Sequence, residues 1–103
     1  MKFYIKHSMT GRLRVHMDMK HMSFKQADIL EYYIKNIETV TSVKVYEKTC
    51  DAVIEFKGDK AQIINELKHF TYSQVVVPED VLNSSGREMN SYYQDKLVNK
   101  VFL

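Results

Sequence analysis

From Gly11 the chain alternates: Leu13, Val15 and Met17 are apolar, and Arg12, Arg14 and His16 between them are polar. A period of two puts one set on each face of a strand, so GRLRVHM predicts a strand with a single buried face. Phe3 and Ile5 alternate in the same way before SMTG, which is turn material, so the opening is either an extended lead-in or one arm of a small hairpin. The period then changes. Ser23 with Gln26 has the form of a capping box, and Ala27, Leu30, Ile34 and Ile37 recur at helical spacing, which predicts an amphipathic helix ending near Glu38 to Thr41. Alternation returns in TSVKVYE and DAVIEFK, with Val43, Val45, Ala52, Ile54 and Phe56 expected on the inner face. The short KTC turn between the two runs makes them a β-hairpin. Gly58 and Asp59 break the pattern, Asp59 with Gln62 caps again, and Ile63, Ile64, Leu67 and Phe70 form the apolar stripe of a shorter helix. QVVV, ending at Val77, then predicts a last strand stopped by Pro78.

The order β-α-β-β-α-β is that of an α+β, ferredoxin-like sandwich over residues 1–78, in which a four-stranded antiparallel sheet carries two helices on one face. Residues 79–103 form a second region. Ser85 with Glu88 is another capping box, and Met89, Tyr93, Leu97 and Val101 repeat at four-residue spacing, which predicts a C-terminal amphipathic helix. It stops on Val101-Phe102-Leu103 with no helix-stop residue, so we expect a fragment of a longer protein, the alternative being that these residues fold back onto the domain. Lys96 and Lys100 beside Tyr92, Tyr93 and Phe102 also suit the approach to a membrane.

Composition narrows the function. With 103 residues, 45% of them hydrophobic, the chain can build one modest core. Its net charge of +2 lacks the one-signed balance of a dedicated duplex-binding protein. The single cysteine, Cys50, cannot close an internal disulfide, which favours a reducing, cytosolic setting. No run reaches the roughly 18 apolar residues of a membrane span, and the N-terminus lacks the apolar core of a signal peptide. There is no Gly-rich phosphate loop, G-x-S-x-G elbow or H-E-x-x-H, so no enzymatic activity is expected of this chain. The strand DAVIEFK also lacks the aromatic pattern of an RNA-recognition sheet, and no nucleic-acid partner is expected.

HSMTGRLRV at His7 to Val15, the helix after it, and TSVKV at Thr41 to Val45 together resemble the diverged heavy-metal-associated domain at the N-terminus of bacterial heavy-metal-transporting P-type ATPases. In that family a His-Ser-x-Pro-Gly-Arg-x-Arg run opens the domain. His7, Ser8, Gly11, Arg12 and Arg14 match it, and Thr10 stands where Pro is usual. The family hairpin tends to read V-x-V-N-x-x-T-G-S; this chain keeps Val43, Val45 and Thr49 but has Tyr46 for Asn and Cys50-Asp51 for Gly-Ser. The segment Arg87 to Leu103 is similar to the stretch that precedes the first membrane helix in such transporters. The resemblance implies a cytoplasmic domain of a cell-membrane cation pump, whose partner is the rest of the transporter and whose contact with the membrane comes only through the parent chain or the C-terminal helix.

The better known members of that family hold Cu(I) or Zn(II) with a C-x-x-C pair in the loop after the first strand. Here HMDMKHM occupies the loop, so His16, Met17, Met19, His21 and Met22 stand in place of the cysteines. Thioethers favour Cu(I), and imidazoles serve Zn(II) as the second choice. Against this, Met17 continues the buried face of the strand and Met22 precedes a helix cap, where a hydrophobic staple packs. His7, Ser8, Gly11 and Arg12, with Arg14 nearby, are read either as a small anion loop or simply as a turn, His7 also being a candidate ligand. Cys50, in the hairpin turn, is an exposed thiol, a lone metal ligand or a dimer-forming cysteine, which would make a second copy a partner. The expectation is a metal-sensing or regulatory domain, with a docking module that binds no metal as the alternative.

Overall fold

Gly11 lets the chain reverse at Thr10-Gly11. Its φ is +76°, in the left-handed region that glycine enters without steric cost. In the computed structural model, which describes residues 1–79, the flanking segments are strands β1 (Phe3–Met9) and β2 (Arg12–Met17), paired antiparallel from Met9 opposite Arg12 to Phe3 opposite Met17. The opening segment is therefore a hairpin arm. Gly11 also accepts a hydrogen bond from the Phe56 amide at 3.0 Å, which carries the β2 ladder onto its other neighbour.

Helix α1 (Phe24–Lys35) starts on the expected capping box: the Ser23 hydroxyl accepts from the Gln26 amide at 3.0 Å, and the Gln26 side chain accepts from the Ser23 amide at 2.9 Å. Strands β3 (Val40–Tyr46) and β4 (Asp51–Phe56) form the expected hairpin, and helix α2 (Ala61–His69) follows. Asp59 accepts from the Ala61 amide at the start of α2. The sheet order is β1-β2-β4-β3, antiparallel throughout.

The expected last strand does not form. Tyr72–Gln74 is a single 3₁₀ turn, and QVVV adds no strand to the sheet. The place beside β2 that it would occupy is held by β1, so the element order is ββαββα while the four-stranded antiparallel sheet with two helices stands. The C-terminal amphipathic helix expected over 87–103 lies outside the described residues.

Alternation decides what is buried. Leu13, Val15 and Met17 of β2, Ala52 and Ile54 of β4, and Leu30, Ile34, Ile63 and Leu67 of the helices are fully inaccessible and form one core. The helices are also tied to each other, since the Tyr33 hydroxyl reaches Glu66 Oε2 at 2.7 Å and its ring lies 4.9 Å from that of Phe70.

A Cβ at position 11 would sit 3.4 Å from the Phe56 carbonyl oxygen, so the cost of a side chain there comes mainly from the backbone. Gly11→Ala is expected to lower stability by about 1–2 kcal/mol, measured as a shift in the urea midpoint at unchanged m-value.

Candidate functional site

The sheet face opposite the helices carries the polar half of every alternating run. The register sorts it into three rows. Tyr4, His16, Asp51 and Tyr46 stand side by side across β1, β2, β4 and β3. His7, Arg14, Val53 and Lys44 form the next row, and Met9, Arg12, Glu55 and Ser42 the third. Tyr4 is 56% exposed, Met9 55% and Tyr46 39%.

Asp51 is the exception on this face, because it is completely buried. Its Oδ1 lies 2.7 Å from His16 Nδ1, and its Oδ2 accepts from Lys6 Nζ at 3.0 Å and from Arg14 Nε and Nη2 at 3.1 and 2.9 Å. An ionised carboxylate can only accept, and four N–H groups converge on this one, three on Oδ2 and one on Oδ1. Burial by itself would raise the Asp51 pKa, but the hydrogen bonds from His16, Lys6 and Arg14 and the Lys6 charge outweigh it and bring the value down to about 2.

Each donor is placed by local structure. Arg14 and His16 are alternate outward residues of β2. Lys6 reaches Asp51 because the β1 register slips between Ile5 and His7, leaving Lys6 as the extra residue of a bulge. Since the carboxylate can only accept, His16 donates from Nδ1, which leaves Nε2 directed away from Asp51; the ring also lies 4.9 Å from that of Tyr4.

Among the residues expected to hold a metal, His16 lies on this outer face, while Met17 (0% exposed) and Met22 (6%) are in the core on the other side of the sheet. Met19 is half-buried, with the Tyr72 hydroxyl 3.7 Å from its sulfur, and His21 is exposed. Neighbours in sequence are thus divided in space. Among the described residues no group of three or more His, Cys, Asp or Glu side chains is gathered so as to hold a metal ion.

The residues of the expected anion loop are strung along the β1–β2 hairpin, with His7 opposite Arg14 on the outer face and the Ser8 hydroxyl bonded to Lys60 Nζ at 2.9 Å. Cys50 is 3% exposed, which corrects the expectation of an exposed thiol. Its sulfur lies 3.8 Å from the Glu47 carbonyl, and burial, then the Asp51 charge, push the thiol pKa up.

Asp51 is the residue that sequence reasoning missed. The signal was present: the alternation that sends Ala52, Ile54 and Phe56 inward sends Asp51 outward, on a strand able to lie beside Arg14 and His16. No family profile matches the chain, and no curated protein or solved structure matches it.

Because the Asp51 pKa lies below its ordinary value of 3.8, its contribution is complete above that value and is lost as pH falls toward 2. The shift corresponds to about 2 kcal/mol. Asp51→Asn is expected to lose about that much stability at neutral pH in urea unfolding, with the gap to the parent protein closing as the pH is taken below about 3.

Proposed function

We propose that this chain is a regulatory domain of a heavy-metal-transporting P-type ATPase, on its cytoplasmic side, and that it performs no catalysis but docks on the rest of its transporter through the outer face of the sheet. The face itself carries the reading. Among the described residues neither helix covers it, and its exposed Tyr4, Tyr46, Met9 and Arg12, with the half-buried Arg14 beside them, are of the types enriched where proteins meet. Both edge strands are irregular, β1 between Ile5 and His7 and β3 between Val40 and Ser42, which disfavours strand addition at the edges and leaves the face as the contact surface.

The transporter assignment rests on the resemblance, and one backbone feature supports it. The resembled pattern has glycine at two positions of this chain, 11 and 50. Both have left-handed backbone, Gly11 at +76° and Cys50 at +58°, and Cys50 is the sole non-glycine residue with positive φ among the described residues. A docked domain regulates a pump by binding one of its conformations more tightly than another, which shifts their populations.

A metal-sensing role is the second reading, and His16 favours it. Its imidazole is oriented by a carboxylate at Nδ1 with Nε2 directed away, an arrangement that metal-ligating histidines share. With Met17 and Met22 in the core, the donors left are mainly imidazoles, which suit Zn(II) at least as well as Cu(I).

Thermal unfolding with Cu(I) or Zn(II) separates the two readings. Docking alone predicts a Tm unchanged within about 1 °C, whereas a metal present at a hundred times its Kd adds about 2.7 kcal/mol and raises Tm by roughly 10 °C or more. A rise of that size, abolished by His16→Ala with His21→Ala, replaces docking with metal sensing. In the full transporter, Tyr46→Ala is expected to change metal-stimulated ATP hydrolysis while the domain remains folded, and an unaltered rate counts against docking through this face.

A further inference from the structure

We infer that the partner of the outer sheet face is an acidic protein segment, recognised through its carboxylates; this rests on the docking reading and names the chemistry of what docks. The outer face is unbalanced in charge and in hydrogen bonding. Its cations are Lys6, Arg12, Arg14 and Lys44, and its anions are Asp51 and Glu55. Asp51 is sealed beneath Lys6, Arg14 and His16, so among the described residues of these three rows Glu55 is the acidic side chain open to a partner. Arg12 and Lys44 are exposed and form no salt bridge among the described residues. Tyr4 and Tyr46 end the first row at opposite edges of the sheet, on strands about 14 Å apart at three strand spacings.

A surface that offers mostly donors calls for a partner that offers mostly acceptors. Carboxylates fit best, because the planar fork of an arginine matches them in pairs. Single-stranded nucleic acid also combines negative charge with affinity for aromatic rings, but it needs open ring faces to stack on. Here the Tyr4 ring already lies against His16 at 4.9 Å, and Lys44 Nζ sits 5.3 Å above the Tyr46 ring. Each tyrosine therefore has one face engaged, while its hydroxyl and the neighbouring cations remain available to a peptide. An anionic membrane would be held by lysines together with inserting apolar side chains, and Met9 is the exposed aliphatic side chain that the rows supply.

The test is a titration of the isotopically labelled chain with three synthetic peptides of equal length, one rich in Glu and Asp, one uncharged and one rich in Lys, followed by amide chemical shifts. A single-stranded oligonucleotide and phosphatidylserine vesicles serve as further arms. The acidic peptide should bind at low salt, move the amides of β1, β2 and β3, and weaken as salt is added. Arg12→Gln with Lys44→Gln should weaken it about tenfold, whereas Lys25→Gln with Lys35→Gln, which removes the same charge from α1, should change it less than about twofold. Equal weakening by both double variants overturns the inference, because it shows attraction to net charge alone. So does tighter binding of the oligonucleotide or the vesicles. If the uncharged or basic peptide binds this face and the acidic one does not, docking stands and the acidic partner falls. If shifts caused by every ligand lie on the helices, docking through this face falls as well.

Discussion

A buried carboxylate bonded across three strands is the constraint on which the sheet depends. Asp51 opens β4, and its four hydrogen bonds reach β1 through Lys6 and β2 through Arg14 and His16. A charge removed from water is costly unless its lone pairs are filled, so the strands must be aligned well enough to deliver all four donors together. A slip of β2 by one residue would turn Arg14 and His16 inward and Leu13 and Val15 outward, losing the carboxylate's partners and the core at once. Register is therefore held from both faces of the sheet, by apolar packing on one and by Asp51 on the other.

The clamp explains irregularities that would otherwise look like faults. A regular β1 would pair without the slip that leaves Lys6 unpaired, and the bulge gives this residue its reach to the carboxylate. It also puts a charged, twisted residue on an edge strand, which discourages pairing with another sheet. At the other end, Cys50 takes a left-handed backbone immediately before Asp51, as the β3–β4 turn delivers the acid to the first position of its strand. A side chain held at positive φ costs roughly 1–2 kcal/mol, which the burial of the Cys50 sulfur helps to offset.

The elements with strong periodicity could be read from sequence because one period matched one buried face. GRLRVHM, TSVKVYE and DAVIEFK are strands within a residue or so at their ends, and Ser23 with Gln26 starts α1 as a capping box. What could not be read was the competition for one place beside β2. Phe3 and Ile5 in one segment and QVVV in the other are both credible edge strands, and local pattern holds no information on which of them pairs. The N-terminal segment pairs, joined to β2 by a two-residue turn, so its loop is short and its closure cheap in entropy. Asp51 escaped notice for a related reason: its role exists only once β4 lies beside β2, a contact between residues 35 or more positions apart.

The same logic governs HMDMKHM, where sequence proximity suggested a cluster and strand geometry divides it. A ligand set for a metal ion needs its donors to converge, but consecutive residues of a strand diverge, and His16 and Met17 are the last two residues of β2. The sulfur joins the core and the imidazole joins the outer face. In a loop that carried a C-x-x-C pair, the first ligand would have to lie beyond the end of the strand to be free of this alternation. In this chain the alternation runs through Met17, and it adds His16 to the row of Tyr4 and Tyr46. The face gains a ring locked in place by Asp51 while the loop loses two of its five donors to the core, so the physics that divides the cluster also builds the surface we assign to docking.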